Sequence, residues 1–157
     1  MEKRKKPVGL GSTDRMACLI LEDELWINDL MERAHKTLQR ANDMTRAALD
    51  IAGIWYERRV TAGFYLWLEC SEFLPQFEDK WKTGEALFRR MAEGGVGLSA
   101  GGIGLGAEKP GNFRLVFAHS GDVLKIALKR LITVLKGAEV VEGISILKDK
   151  PKVESRL

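Results

Sequence analysis

One long apolar stripe constrains the fold of this chain more than any other feature of the sequence. Residues at alternating spacings of four and three share apolar or small side chains: Ile27, Met31, Ala34, Leu38, Ala41, Thr45 and Ala48. That spacing places them along one side of an α-helix, and neither glycine nor proline interrupts it before Gly53, a natural C-cap. The pattern predicts a long core helix, in which Leu30, Met44 and Ile51 widen the buried face.

Composition and charge exclude several classes of protein. The 157 residues are 45% hydrophobic, which suffices for the core of one ordinary domain. The 25 basic and 22 acidic residues nearly balance, so nucleic acid is not predicted as a partner. No apolar run approaches the roughly 20 residues that cross a bilayer, so a cytoplasmic protein without a membrane partner is expected. Cys18 and Cys70 are far apart in sequence and are predicted to be buried thiols in a reducing compartment.

Two segments, 54–60 and 64–70, are rich in the aromatic and branched residues that are typical of strands, and further strands are predicted over 96–99 and 113–118. Three further helices are predicted, namely a short one capped by Ser12 or Thr13, one over 85–93 capped by Thr83 and ended by Gly94 and Gly95, and one from Asp122 to near Gly137. Strands that neighbour one another in sequence, with helices between and after them, indicate an α+β domain. We expect a small, mostly antiparallel sheet covered by helices on one face and preceded by the long helix. The second face of the sheet then needs a cover, which a partner can supply.

The same patterns divide the chain into three parts. Residues 1–11, which include the basic run Lys3–Lys6, are predicted to be a solvated N-terminal tail. Residues 12–137 form the predicted domain, and 138–157 are a C-terminal tail of mixed charge.

Arg114 is the strongest candidate for a site residue. Strand alternation places Phe113 and Leu115 on the core face and Arg114 on the opposite face. A guanidinium there is costly to desolvate unless it meets an anion in fork geometry. Two alternatives stay open: a ligand carboxylate or phosphate, and an ion pair with one of the chain's own acids.

The other motifs are not predicted to form a catalytic or binding site. The glycine-rich run 101–106 precedes a strand rather than a helix and lacks the G-K-[ST] of a phosphate loop, so a connector is predicted. His35 and His119 are expected on the surface, because no nucleophile or acid can be connected to them by spacing. Glu69 and Glu72 are assigned no chemistry, since nothing fixes their separation.

Two motifs carry a resemblance to a known family. AGFYLW at 62–67 and PGNFRLVFA at 110–118, with Leu98, Ser99 and Gly101 between them, stand in an order that resembles the C-terminal small domain of class I (fold-type I) PLP-dependent aminotransferases and 1-aminocyclopropane-1-carboxylate synthases. The resemblance extends over about residues 12–137 and implies that fold. It also implies that Arg114 holds a substrate α-carboxylate, and that Tyr65 lies on the substrate side.

The departures from that family matter as much. Ala100 replaces the proline of the family's L-S-P-G loop, and the region that would carry the Schiff-base lysine and the phosphate cup is expected to lie upstream of this chain. Lys5 and Lys6 lack the S-x-S-K and G-x-R of the lysine region. PLP therefore belongs to the parent family, and this chain alone is not expected to bind it.

Two functional hypotheses follow from the resemblance, and whether the chain is an enzyme stays open between them. The first is a truncated or split PLP-dependent aminotransferase or 1-aminocyclopropane-1-carboxylate synthase-like protein of amino-acid metabolism, inactive without a cofactor-binding large domain. Its partners would be an amino-acid substrate, once the large domain is present, and a second chain in a homo- or hetero-oligomer. The alternative is a non-catalytic protein-interaction module derived from such an enzyme.

Overall fold

The computed structural model of the protein describes residues 11–59, 62–76, 79–100 and 109–148. Its helices and strands, in chain order, are α1 (Ser12–Leu21), α2 (Glu24–Ala52), β1 (Trp55–Tyr56), β2 (Tyr65–Glu69), α3 (Lys80–Glu93), β3 (Ser99–Ala100), β4 (Asn112–Val116), α4 (Gly121–Lys136) and α5 (Ala138–Gly143). The chain divides into two compact units, Met1–Thr37 and Leu38–Leu157. The α+β class and the long helix are confirmed.

The described strands form one sheet in the second unit, in the order β1-β2-β4-β3, and every neighbouring pair is antiparallel. β2 and β4 pair over their whole length, with Leu66 opposite Leu115 and Trp67 opposite Arg114. Burial alternates along both strands, so Leu66 and Leu115 face the core and Trp67 and Arg114 face outward. The predicted antiparallel sheet with one covered face is therefore confirmed.

Helices supply the other half of the core. The buried residues of α2, α3 and α4 that pack with the sheet are Ala48, Leu49, Leu87, Met91, Leu124, Leu128, Leu131 and Ile132. Each of these helices has apolar residues at intervals of three and four, so one side of each faces the same cluster. Removing this apolar surface from water is the main term that stabilises the unit.

Residues beyond Gly137 also contribute to the core. α5 follows Gly137, and Ile144 and Leu147 behind it are fully buried. This stretch was predicted to be a C-terminal tail of mixed charge, and its apolar residues were not assigned to the core. The described part of that tail, 138–148, packs as part of the second unit.

The stripe of α2 is buried over only part of its length. Ala41, Thr45 and Ala48 are buried, whereas Met31 is 52% exposed. Leu30 and Ile51, which were expected to widen the buried face, are exposed at 39% and 57%. The prediction of a core helix is wrong for the first half of α2, whose residues are exposed or half-buried.

Helix ends follow the predicted residues in some places and not in others. Gly53 (φ +65°) ends α2, Gly94 and Gly95 end α3, and Gly137 (φ +100°) ends α4, as predicted. The predicted caps at the other ends are wrong. α1 is capped by Gly11, and α3 begins at Lys80 with the carboxylate of Asp79 accepting hydrogen bonds from the backbone N–H groups of Trp81 and Lys82.

The first predicted strand is much shorter than the run 54–60 suggests. β1 ends at Tyr56, and the chain turns at Arg58 and Arg59. The guanidinium of Arg58 lies 2.6 Å from the Asp50 carboxylate, and the Tyr56 hydroxyl donates to the same carboxylate at 3.2 Å. Burial and the Asp50 charge together raise the pKa of Tyr56. These contacts with Asp50 hold residues 56–58 against α2, and the strand ends there.

The two cysteines differ in environment, so the prediction that both are buried is wrong for Cys18. Cys18 is exposed on α1, and Cys70 is buried at the end of β2. Burial, together with the charges of Glu72 and Glu69, raises the pKa of the Cys70 thiol to about 12. Because the thiolate is the reactive form, Cys70 should be inert in the native protein.

We therefore expect a thiol reagent at pH 8 to modify Cys18 and to leave Cys70 unmodified until denaturant is added. The measurement is a colorimetric thiol titration of the native and the unfolded chain. In the Cys18→Ser variant the native signal should vanish, and a native signal that persists there would contradict the assignment.

Among the described helices, none combines the length and the apolarity that a membrane span requires.

Candidate functional site

The candidate site is built on the outer face of the sheet, around Arg114. Its strand, β4, lies between β2 and β3, so its backbone is paired on both sides, opposite Trp67 and Ser99. Central strands are the most rigid part of a sheet, because both rows of backbone groups are hydrogen-bonded. Arg114 is thus held on a fixed platform, with its side chain on the face opposite the core.

Two aromatic rings of β2 contact the guanidinium group. The Cζ atom of Arg114 lies 4.5 Å from the centroid of the Tyr65 ring and 5.8 Å from that of Trp67. Cation–π attraction at such distances contributes about 0.5–2 kcal/mol and restricts the rotation of the side chain. The Tyr65 ring is itself braced at its edge by Phe64, whose centroid lies 5.8 Å away.

The Nε atom of Arg114 is buried and has no hydrogen-bond partner in the part of the chain that the structure describes. An unsatisfied buried donor costs about 1–3 kcal/mol, and more when it belongs to a charged group. The sequence left open an ion pair with one of the chain's own acids. None of the ion pairs between described residues involves Arg114, so its guanidinium has no acidic partner in that part of the chain.

The turn before β4 fixes the position of this strand. Gly111 adopts φ +91°, and its carbonyl oxygen accepts a hydrogen bond from the backbone N–H of Cys70 at 2.8 Å. A Cβ atom at Gly111 would lie 3.1 Å from the backbone of Ser71. The close approach joins the end of β2 to the start of β4, and so sets the register that brings Trp67 beside Arg114.

Trp67 is a site residue that the sequence reasoning did not single out. It appeared only as part of the AGFYLW motif, whereas Tyr65 was named for the substrate side. The period of two along β2 was the available signal, because residues 65 and 67 necessarily share a face. The structure brings both rings to Arg114.

The other candidate groups lie apart from this face. His35 and His119 are exposed, as expected. Glu69 accepts a hydrogen bond from the Ser71 hydroxyl, and Glu72 pairs with Lys136 at 3.1 Å, so neither is poised for acid–base chemistry.

Within the described ranges, no cluster of three or more potential ligands could bind a metal ion. The glycine-rich run 101–106 and the basic residues Lys3–Lys6 lie outside the described residues.

The donor set of the outer face suits a carboxylate better than it suits PLP. The outward residues of β2 and β4 are Tyr65, Trp67, Glu69, Asn112, Arg114 and Val116. This described face offers a guanidinium and aromatic rings but no lysine amine, which PLP needs for covalent attachment. The described residues of this face therefore do not fit the cofactor, whereas a guanidinium suits a carboxylate group.

Comparison with known proteins shows what the chain as a whole is similar to. No family model matches the chain. It is 29% identical over 139 residues to the mouse (Mus musculus) 1-aminocyclopropane-1-carboxylate synthase-like protein 1, covering 86% of this chain and 26% of that protein.

Solved structures agree with the sequence match. A tetra mutant of Thermus thermophilus aspartate aminotransferase superposes with a TM-score of 0.60 at 26% identity, over 74% of this chain and 29% of that one. The same enzyme with maleate gives a TM-score of 0.59 at 26% identity, over 74% of this chain and 28% of that one. By sequence and fold, this chain is similar to the fold-type I PLP-dependent enzymes. The likeness to the aminotransferases and the synthase-like protein covers most of this chain but just over a quarter of each relative, which is compatible with a small domain.

Proposed function

We propose that this chain supplies the carboxylate-binding part of a PLP-dependent enzyme of amino-acid metabolism. The observation that carries the proposal is the buried, unpartnered Nε of Arg114 between two aromatic rings. Similarity to an aspartate aminotransferase and to a synthase-like protein supports the parent chemistry, which is transamination or elimination from an amino acid. The chain is proposed to be inactive, and not to hold PLP, until a cofactor-binding large domain completes it.

In this proposal Arg114 binds and orients the substrate. A guanidinium presents two parallel N–H groups to the two oxygens of a carboxylate, which fixes the plane of the carboxylate as well as its position. Tyr65 and Trp67 exclude water from the guanidinium, which strengthens each of these charge-assisted bonds. The maleate in one aminotransferase structure is a dicarboxylate and so is consistent with an anion site in those enzymes. PLP, when bound by the large domain, acts as the electron sink for the amino acid.

We expect Arg114→Lys to weaken amino-acid binding by about 1–3 kcal/mol, because an ammonium replaces two directed N–H groups with one point charge. The measurement is a spectral titration of PLP in a fusion in which this chain replaces the matched segment of the mouse relative.

Arg58→Lys is the matched control, since Arg58 is exposed and paired with Asp50, and its titration should not change. PLP absorbance should survive dialysis in the fusion but not in this chain alone. Unaltered affinity in Arg114→Lys would remove the assignment, and a persistent PLP band with this chain alone would contradict the requirement for a large domain.

A second function, the non-catalytic interaction module, is favoured by the many exposed apolar residues of α1 and the first half of α2. It differs from the first proposal in making Arg114 dispensable. A fusion that binds amino acid with the same affinity before and after Arg114→Lys, while the chain still binds a protein partner, would favour the module.

A further inference from the structure

Two indole rings and two carboxylates lie together on β1 and β2, beside the candidate site. The strands pair with Trp55 opposite Glu69. The backbone N–H of Glu57 donates to the carbonyl oxygen of Trp67 at 2.9 Å, so Glu57 continues the ladder opposite Trp67. Directly opposite residues share a face of the sheet, with Cβ atoms about 4.5–5.5 Å apart. We call Trp55, Glu57, Trp67 and Glu69 the Trp–Glu patch.

The side chains of the Trp–Glu patch lie on the outer face of the sheet. Trp55 is 52% exposed, whereas the next residue of β1, Tyr56, is buried. Burial alternates along β2, and the residues between the members of the patch are the buried ones. The patch therefore shares its face with Arg114, which lies directly opposite Trp67 on β4.

The carboxylates of the patch accept hydrogen bonds from neutral groups. Glu57 accepts from the backbone N–H of Arg59 at 2.9 Å. Glu69 accepts from the Ser71 hydroxyl at 3.1 Å. The ion pairs between described residues include neither of these carboxylates, just as they do not include Arg114. Since an ionised carboxylate has about four acceptor sites, each of the two can still bind a cation.

Trp67 lies between the opposite charges of this face. β2 separates β1 from β4, so Glu57 and Arg114 are on strands about 9–10 Å apart. The Cζ atom of Arg114 lies 5.8 Å from the centroid of the Trp67 ring. Indole rings and carboxylates both attract cations. The outer face is thus complementary to a ligand with a carboxylate at one end and a cation at the other.

We propose that the outer face selects an amino acid whose side chain ends in an ammonium group. The α-carboxylate binds to Arg114, as in the proposed function on which this inference rests, and the distal ammonium binds to the Trp–Glu patch. The α-nitrogen cannot make this contact, because it lies only about 2.5 Å from the carboxylate carbon. A terminal nitrogen six single bonds from that carbon reaches roughly 7–8 Å when the chain is extended.

The first test uses this chain alone and two probes that lack an α-amine, 6-aminohexanoate and hexanoate. A heteronuclear NMR titration follows the indole N–H signals of Trp55 and Trp67, and the signal of Trp81 on α3 is the internal reference. We expect 6-aminohexanoate to bind about threefold more tightly than hexanoate, which is within the range of partly exposed ion pairs. Equal affinities for the two probes would overturn the proposal.

Neutral isosteres show whether the carboxylates cause this preference. Glutamine can accept the same hydrogen bonds as Glu57 and Glu69 but has no charge. In the double variant Glu57→Gln/Glu69→Gln, the two probes should therefore bind equally. Glu93→Gln is the matched control, since Glu93 is exposed at the end of α3, and it should retain the preference. A preference that survives in the double variant would contradict the role of the patch.

The fusion with the rest of the mouse relative extends the test to amino acids. Lysine should titrate the PLP spectrum at about threefold lower concentration than norleucine, its analogue without the amine. The double variant should remove this difference and leave the norleucine titration unchanged. Equal weakening of both titrations would overturn the proposal, because it would indicate a structural role for the two glutamates rather than selection by charge.

The charge selection and the proposed function fail in different ways. A preference of this chain for 6-aminohexanoate, with no PLP retained by the fusion, would contradict the proposed function and leave the charge selection intact. Arg114-dependent binding in the fusion, with equal affinity for lysine and norleucine, would contradict the charge selection and leave the proposed function intact.

Discussion

Phe113→Ala is expected to destabilise the second unit by about 3–5 kcal/mol, at the upper end of what a single core substitution costs. Phe113 is 2% exposed and is the bulkiest fully buried side chain in the part of the chain that the structure describes. It lies on β4 opposite Leu68, with a strand on either side, so the sheet cannot collapse to fill the cavity that alanine would leave. Since domains have about 5–15 kcal/mol of stability in total, this loss is a large fraction of the free energy of unfolding.

The measurement is urea unfolding followed by circular dichroism, and Phe64→Ala is the control. Phe64 is 55% exposed, and its ring lies edge-on to that of Tyr65. Its removal should cost less than about 1 kcal/mol, in the range of surface substitutions. If the two alanine variants unfolded at the same urea concentration, Phe113 would not be the centre of the core.

Gly111→Val is expected to cost about 2–4 kcal/mol, because two unfavourable effects coincide. The backbone of Gly111 has φ +91°, where a β-branched residue is strained. Its new Cβ atom would also lie 3.1 Å from backbone atoms of Ser71, which cannot move without breaking the hydrogen bond from Cys70 to Gly111. We expect lower thermal stability and, because the turn sets the position of β4, a displaced Arg114.

Gly53→Val separates the two effects. Gly53 has φ +65° but no atom within 4 Å of an added Cβ, so only the conformational strain applies. That strain should cost about 1–3 kcal/mol, less than the loss in Gly111→Val. Differential scanning calorimetry of both variants is the measurement, and a melting temperature lowered more by Gly53→Val would contradict the close approach at Gly111.

The residues changed in Phe113→Ala and Gly111→Val belong to one segment, PGNFR, in which each position has a distinct task. Gly111 allows the close turn, Phe113 anchors the strand in the core and Arg114 faces outward between two rings. The order of these three residues is fixed by the geometry of a strand, in which consecutive side chains alternate between faces. A match to this segment is therefore informative about fold and site together.

Where the sequence prediction failed, contacts that residue composition alone does not show decided the outcome. The run 54–60 has strand composition throughout, but the Asp50–Arg58 pair ends β1 at Tyr56. Thr83 is a good capping residue, yet Asp79, earlier in the chain, caps α3 and leaves Thr83 buried in the first turn. Ile144 and Leu147 stand in a stretch of mixed charge, and only the folded chain shows that they belong to the core.

The sequence by itself determined the class of the fold, the helix-ending glycines and the outward face of Arg114. These features follow from local rules: the spacing of side chains along helices and strands, and the ability of glycine to adopt a positive φ. Residues that are close in sequence are enough to reveal them. The tertiary structure decided which half of the α2 stripe is buried and which rings contact Arg114. The rings that contact Arg114 depend on the pairing of β2 with β4, and the buried half of α2 depends on packing against the core. Both involve residues far apart in sequence, which a local pattern does not reveal.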